Sequence, residues 1–295
     1  MRAETNLKEL EEKSIFIIRE AKAQFKNPAV LWSTGKDSTT MLWLVKKAFY
    51  GTVPFPVVHL DTGYKFPEIY EFRDKIAKEW NLNLVIGKRS NINFHPDKCG
   101  HFNCCTELKT NALKDVLKKH RFDALIMSIR WDEHHIRNLE RYCSPRDKEF
   151  KWHLVRPKTK EEMKEGDAPF VSEQQIEFAG WNLFQTDFGP NCDHTRVHPI
   201  LHWREFDIWR FIKQENLPIN PLYRADYVER KYGWKNMRFR SLGCECCTKP
   251  VKSNAKTIDE IINYLKMTNV EERSGRSQDK EKEQVMRRLR AMGYM

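Results

Sequence analysis

Nowhere in these 295 residues does an apolar run approach the ~20 residues that a membrane-spanning helix needs. The opening stretch, Met1 to Lys13, is charged and lacks the apolar core of a secretory signal. The expectation is a cytoplasmic protein with no membrane partner. Internal repeats and low-complexity segments are also missing, which leaves out solenoids and biased linkers. There is no Walker A loop. That loop wants a Gly five residues before the Gly-Lys pair and Ser or Thr after it, whereas Val30 and Asp37 hold those positions. A reducing cytoplasm leaves out a disulfide framework for the eight cysteines. Their two tight groups, around 104 and around 246, point to metal instead.

What is present is a globular composition, 40% hydrophobic and 32% charged, in a chain long enough for a full core. The net charge of +11 suits nucleic acid, nucleotides or another polyanion. The chain is organised around Val30 to Thr39. Ala29 to Trp32 reads as a buried strand and Ser33-Thr34-Gly35 as a tight turn. Ser38 to Tyr50 follows with apolar residues at helical spacing. A strand, a small-residue turn and a helix N-terminus form an anion site, because free backbone N–H groups and the helix dipole converge there. Lys36 and the hydroxyls of Ser33, Ser38 and Thr39 add charge and donors. The plain alternative is an ordinary strand-to-helix turn.

The remaining pattern alternates. Thr5 to Phe25 reads as an amphipathic helix ended by Pro28. Strands are expected at Val57 to Leu60, Leu82 to Ile86 and Ala124 to Ile129, with helices over Tyr70 to Trp80 and Asn103 to His120. This predicts an α/β fold with a mostly parallel twisted sheet flanked by helices, and ligands beyond the carboxyl ends of the strands. The signals at 33–38, 61–63 and 128–132 all fall there. The α/β domain is expected over 1–215, with an insertion near 145–195 that includes the charge run Lys158 to Asp167. A helical and irregular extension, 216–295, carries the second cysteine group. Val197 to Leu201 reads as a strand end; Trp203 to Glu215, Lys256 to Met267 and Gln278 to Met292 read as helices.

Several blocks in one order resemble one superfamily, the phosphoadenosine phosphosulfate (PAPS) reductases and the small subunit of ATP sulfurylase. They are Ser33 to Ser38, then Asp61-Thr62-Gly63 through Glu68, then Arg130-Trp131-Asp132-Glu133 with Arg137, Glu140 and Arg141, and finally Glu272-Arg273-Ser274-Gly275-Arg276. The first block is similar to the Ser-Gly-Gly-x-Asp-Ser loop of ATP pyrophosphatases, with Thr34 in place of the first Gly. The resemblance implies a Rossmann-like fold of the adenine nucleotide alpha hydrolase type. It also implies cleavage of ATP between the α and β phosphates, with Mg2+ bridging them. Lys36, Asp37, Arg130, Arg137 and Arg141 would serve catalysis, with Asp37 or Asp61 holding the ion. Ser33, Thr34, Gly35, Ser38, Thr39, Asp61, Thr62, Gly63, Arg273 and Arg276 would contact the nucleotide. The spacing of Arg130, Arg137 and Arg141 lets them share one helix face. The alternative is a set of surface salt bridges with Asp132, Glu133 and Glu140.

Cys104-Cys105 joined to Cys244-x-x-Cys247 resembles the [4Fe-4S] site of adenylyl-sulfate reductases. Zn2+ and buried free thiols remain alternatives. Lys109, one turn on, faces an anion or the cluster. Cys246 is the extra member. No cysteine follows Cys247, so the reductases' reactive tail thiol has no counterpart. The first expectation is therefore adenylation of a nucleic-acid backbone phosphate for sulfur insertion. This is similar to the ATP pyrophosphatases of DNA phosphorothioation systems, with DNA favoured over tRNA and a cysteine desulfurase as sulfur donor. The alternative is the sulfate-adenylating subunit of ATP sulfurylase, which works with a GTPase subunit. A true reductase and an inactive nucleic-acid or scaffold module are further readings.

Overall fold

The computed structural model describes residues 6–89, 94–133, 137, 140–151, 188, 192–268 and 272. Eight strands and eight α-helices are named among them. The strands are β1 (Pro28–Leu31), β2 (Val57–Asp61), β3 (Leu84–Lys88), β4 (Ala124–Ile126), β5 (Cys143–Arg146), β6 (His194–Val197), β7 (Met237–Arg238) and β8 (Val251–Lys252). The helices are α1 (Leu7–Gln24), α2 (Lys36–Ala48), α3 (Pro67–Glu79), α4 (Pro96–Cys105), α5 (Ala112–His120), α6 (Glu205–Gln214), α7 (Ala225–Tyr232) and α8 (Ile258–Met267). The expected charge run at 158–167 and the helix at 278–292 lie outside the described residues. No helix among those described is long and apolar enough to cross a membrane.

The central sheet has six strands in the order β3-β2-β1-β4-β6-β5. Every pairing is parallel except β5 with β6. β1 and β2 are buried along their whole length, as expected of central parallel strands covered on both faces. α1 lays Leu7, Leu10, Ile17, Ile18 and Ala21 into the core. The same apolar cluster takes in Leu222, Val228, Phe239 and Ile261, so the region after 215 shares one core with the sheet. α3 begins at Pro67, whose missing N–H costs nothing at a first turn.

Three local expectations are corrected. The strand read over 197–201 lies earlier, at His194–Val197, and residues 199–202 turn. The single helix read over 103–120 is α4 and α5 joined by a π-helical turn, Thr106–Asn111. β5 runs into the start of the insertion expected near 145–195, where no strand was read. Its Pro145 is tolerable because β5 is the edge of the sheet.

Gly87 sets how closely α5 sits on β3. A Cβ there would lie 2.7 Å from Cγ2 of Val116 and 2.9 Å from Cδ2 of Leu60. Gly87→Ala should cost about 1–3 kcal/mol in urea unfolding, the usual range for overpacking. Val116→Ala in the same chain should recover part of it.

Candidate functional site

β1 delivers the chain into the turn Ser33-Thr34-Gly35, and α2 starts at Lys36. Thr34 has φ 66°, the left-handed region that favours glycine and is rare for a β-branched residue. Its hydroxyl donates to the carbonyl of Ser33. Here Thr stands where the related loop has Gly, and the strained backbone is kept at the site itself. Gly35 caps α2 without a side chain, so the first N–H groups are left to other partners. One is the Tyr223 hydroxyl, which accepts from the Lys36 N–H at 2.9 Å. Ser33 and Ser38 Oγ atoms lie 3.1 Å apart. Thr39 turns away to accept from the Trp32 indole at 3.1 Å.

Beyond the ends of β1 and β4 the structure brings together Lys36, Asp37, Arg130 and Glu272. The Lys36 ammonium contacts Asp37 Oδ2 at 2.9 Å and pairs with Glu272. Arg130 is fully buried and touches three carboxylates. Its Nε lies 2.9 Å from Asp37 Oδ1, its Nη1 2.9 Å from Asp132 Oδ1, and its Nη2 pairs with Glu272. The first two contacts lack hydrogen-bond alignment, so Nε and Nη1 of Arg130 and Oδ1 of Asp37 stay buried without a hydrogen-bond partner. Such orphaned groups mark a place built for polar contacts still to be made. Burial alone would lower the Lys36 pKa, but Asp37, Glu272 and Glu205 outweigh it and hold the ammonium above the ordinary lysine range. Burial would raise the Glu272 carboxyl, but Arg130 and Lys36 hold it below its usual value. Asp132 is pushed up to about 6 by burial, against the pull of Arg130 and with help from Glu272 and Asp37.

Lys36, Asp37 and Glu272 open on a cavity of ≈ 160 Å³, lined also by Lys65, Lys109, Tyr223 and residues 241–243, whereas Arg130 and Asp132 are not among its lining residues. Of the candidate residues, Ser33, Gly35, Lys36, Asp37, Ser38 and Arg137 line it. Arg137 pairs with Glu133 at its wall. The common helix face expected for Arg130, Arg137 and Arg141 does not form. Residues 131–133 make a 3-10 turn, and by Arg141 the chain is non-helical, its carbonyl accepting from His198 at 2.7 Å. Asp61 also faces elsewhere: Oδ1 accepts from the Gly63 N–H at 2.8 Å and the Tyr70 hydroxyl at 2.7 Å, and Oδ2 meets Lys88 at 3.1 Å. Arg273 and Arg276 lie outside the described residues. Sequence reasoning missed Tyr223, which had no local signal, and gave no role to Lys65, although it lies in the block from Asp61 to Glu68.

The four predicted thiols are gathered in a second centre beside the cavity. Cys104 and Cys105 end α4, and Cys244 and Cys247 flank a short 3-10 turn. A bridge between Lys65 and Cys244 joins that turn to the loop after β2. All four are buried. Burial pushes the Cys104 thiol up to about 12, and the neighbouring sulfurs of Cys105, Cys244, Cys99 and Cys247 add to it. Cys244 goes the other way: burial would raise it, but Lys109, Lys65 and the Thr62 hydroxyl at 3.2 Å favour its thiolate. Lys109 Nζ donates to Cys105 at 3.6 Å. Thr62 thus serves the thiols rather than the cavity. Cys246 is exposed, with its sulfur 3.6 Å from that of Cys247. Among the described residues no group of three or more His, Cys, Asp or Glu has the arrangement of a metal-ion site.

A buried lysine and arginine meet at the head of a helix, beyond the carboxyl ends of a parallel sheet, where folds of this kind bind ligands. The comparisons with known proteins give the class, an ATP-using enzyme of the adenylyl-transferring kind. The chain belongs to the phosphoadenosine phosphosulfate reductase domain family, whose model matches residues 27–250. It is 38% identical to sulfate adenylyltransferase subunit 2 of Zymomonas mobilis over 98% of each chain. The same subunit of Pseudoalteromonas translucida is 36% identical, over 98% of this chain and 99% of that one. In fold the chain is similar to FMN adenylyltransferase of Candida glabrata, with a TM-score of 0.53 at 17% identity, covering 85% of this chain and 67% of that one.

Proposed function

We propose that this enzyme transfers the adenylyl group of ATP to sulfate and releases pyrophosphate, in company with a GTPase subunit. The observation that carries the phosphate chemistry is the convergence of Lys36 and Arg130 on a single carboxylate at the head of α2. Two buried cations that already hold one oxyanion can hold another. Sulfate as acceptor is supported by full-length similarity to sulfate adenylyltransferase subunit 2.

In this reading an acceptor oxygen attacks the α-phosphorus, the bond to the bridging β-oxygen breaks, and pyrophosphate leaves with the electron pair. Negative charge gathers on the phosphoryl oxygens, where Lys36, Arg130 and the open N–H groups of α2 neutralise it. Asp37, whose Oδ1 has no hydrogen-bond partner, is the carboxylate that fits Mg2+ accompanying the triphosphate. The ion would supply further charge neutralisation.

A second reading is favoured by a specific observation, the gathered thiols, which adenylation of sulfate does not require. In it the acceptor is a nucleic-acid backbone phosphate, DNA before tRNA, activated for sulfur delivered from a cysteine desulfurase. Cys104, Cys105, Cys244 and Cys247 suit a [4Fe-4S] cluster, which binds one thiolate per iron and so needs its ligands more widely spread than a single ion does. Such a cluster would supply redox or sulfur-handling chemistry when bound.

The deciding experiment is pyrophosphate release from ATP and Mg2+ with sulfate, single-stranded DNA or tRNA as stimulant. Sulfate-dependent release is expected. Stimulation by nucleic acid alone would move the assignment to the second reading, and orthophosphate as the product would overturn both.

A further inference from the structure

Glu272 lies 236 positions from Lys36 and 142 from Arg130, beyond the stretch the family model matches, yet its buried carboxylate is lodged between those two cations. Three carboxylates, Asp37, Asp132 and Glu272, are in ion-pair contact with the two cations, so the cluster carries one more negative than positive charge. The three are not equally tied. Asp37 belongs to the first turn of α2 itself. Asp132 is anchored by the Glu205 N–H, which donates to its Oδ2 at 2.8 Å. Glu272 has no hydrogen-bond partner among the described residues other than Lys36 and Arg130. The cavity beside it, ≈ 160 Å³, is well below the roughly 300–1,000 Å³ usual for a small-molecule site. A nucleoside triphosphate therefore meets a cradle that is short of room and whose two buried cations already face three carboxylates.

We propose that Glu272 is the enzyme's own competing anion: its carboxylate occupies the place of a nucleotide phosphate on Lys36 and Arg130, and ATP binds by displacing it. The proposal rests on the reading of this cradle as the ATP phosphate site. While the nucleotide is away, Glu272 accepts from the Lys36 ammonium and Arg130 Nη2, buried donors that would be costly to leave without an acceptor. When the nucleotide arrives, its phosphates take over both contacts, and the freed carboxylate leaves the neighbourhood of like charge. Glu272 thus sets the affinity for phosphate, and selects against single-charge anions too weak to displace it.

The test is calorimetric titration of the full chain with inorganic pyrophosphate, then with a non-hydrolysable ATP analogue. Wild type is compared with Glu272→Gln, which keeps the size and removes the charge, and with Glu272→Asp, which keeps the charge and shortens the reach. Like charges held together in a site cost several kcal/mol, so Glu272→Gln should bind pyrophosphate at least ~10-fold more tightly. Glu272→Asp should show a smaller gain, and it keeps the test decisive if the Gln variant does not fold. Equal or weaker binding by the folded variants overturns the proposal and makes Glu272 a fixed support for Lys36 and Arg130. Failure of wild type and variants alike to bind either ligand would overturn the phosphate-site reading as well.

Discussion

Arg130→Gln should lower pyrophosphate release from ATP by about 10²–10³-fold, the loss seen when one aligned donor to developing charge is removed. The same change should cost about 3–5 kcal/mol of stability, read as a fall in thermal or urea midpoint. Both effects follow from one geometry. Arg130 is the fully buried cation that Asp37, Asp132 and Glu272 share, and its loss leaves three carboxylates facing Lys36 alone. Arg130→Lys separates the two effects. An ammonium keeps the charge and much of the stability but cannot fork to three partners, so activity should still fall. The double variant Arg130→Gln/Glu272→Gln should regain stability over Arg130→Gln, since one uncompensated charge goes with it, while activity stays lost. A cycle with no coupling between the two positions would contradict the ion-pair account.

The turn at the head of α2 was legible in the sequence because its signal is local: strand, small residues, lysine and helix lie within a dozen positions. The alternation of strands and helices likewise announced a mostly parallel sheet, and therefore the end of it where ligands bind. What escaped depended on contacts distant in sequence or on a wrong local conformation. Tyr223 reaches the Lys36 N–H from a 3-10 turn 187 positions away, and nothing around Pro221 hints at it. The segment from Glu272 to Arg276 is visible in the sequence, where the resemblance gives roles to its arginines and none to Glu272. In the structure the carboxylate at its head enters the site. The arginine series at 130, 137 and 141 could share a face only on a helix. Residues 131–133 instead form a 3-10 turn, and Arg141 is non-helical. Asp61 was legible as a residue at the end of β2, but not the Gly63, Tyr70 and Lys88 partners that hold its carboxylate away from the cavity.

Cys244→Ser should strip the thiol centre of metal while leaving pyrophosphate release in place. Anaerobically isolated protein is expected to be brown and to hold about four irons and matching acid-labile sulfide per chain. Cys244→Ser or Cys105→Ser should reduce both to background, whereas Cys246→Ser should retain them. Cys246 is the exposed member of the group, beside Cys247, whereas the other four are buried. Cys244 is the most sensitive position because two cations and the Thr62 hydroxyl favour its thiolate, the form that binds metal. Pyrophosphate release should survive because it needs Lys36, Asp37 and Arg130, which stand on α2 and beyond β4 rather than on the thiol-bearing turns. The two centres are nonetheless neighbours. Lys65 and Lys109 line the phosphate cavity and also act electrostatically on Cys244. Zinc in place of iron, or metal retained in Cys244→Ser, would remove the reason for linking this chain to sulfur insertion and leave sulfate activation alone. Iron lost together with pyrophosphate release would instead mean that Lys65 and Lys109 depend on the thiolates to hold the positions from which they meet the nucleotide.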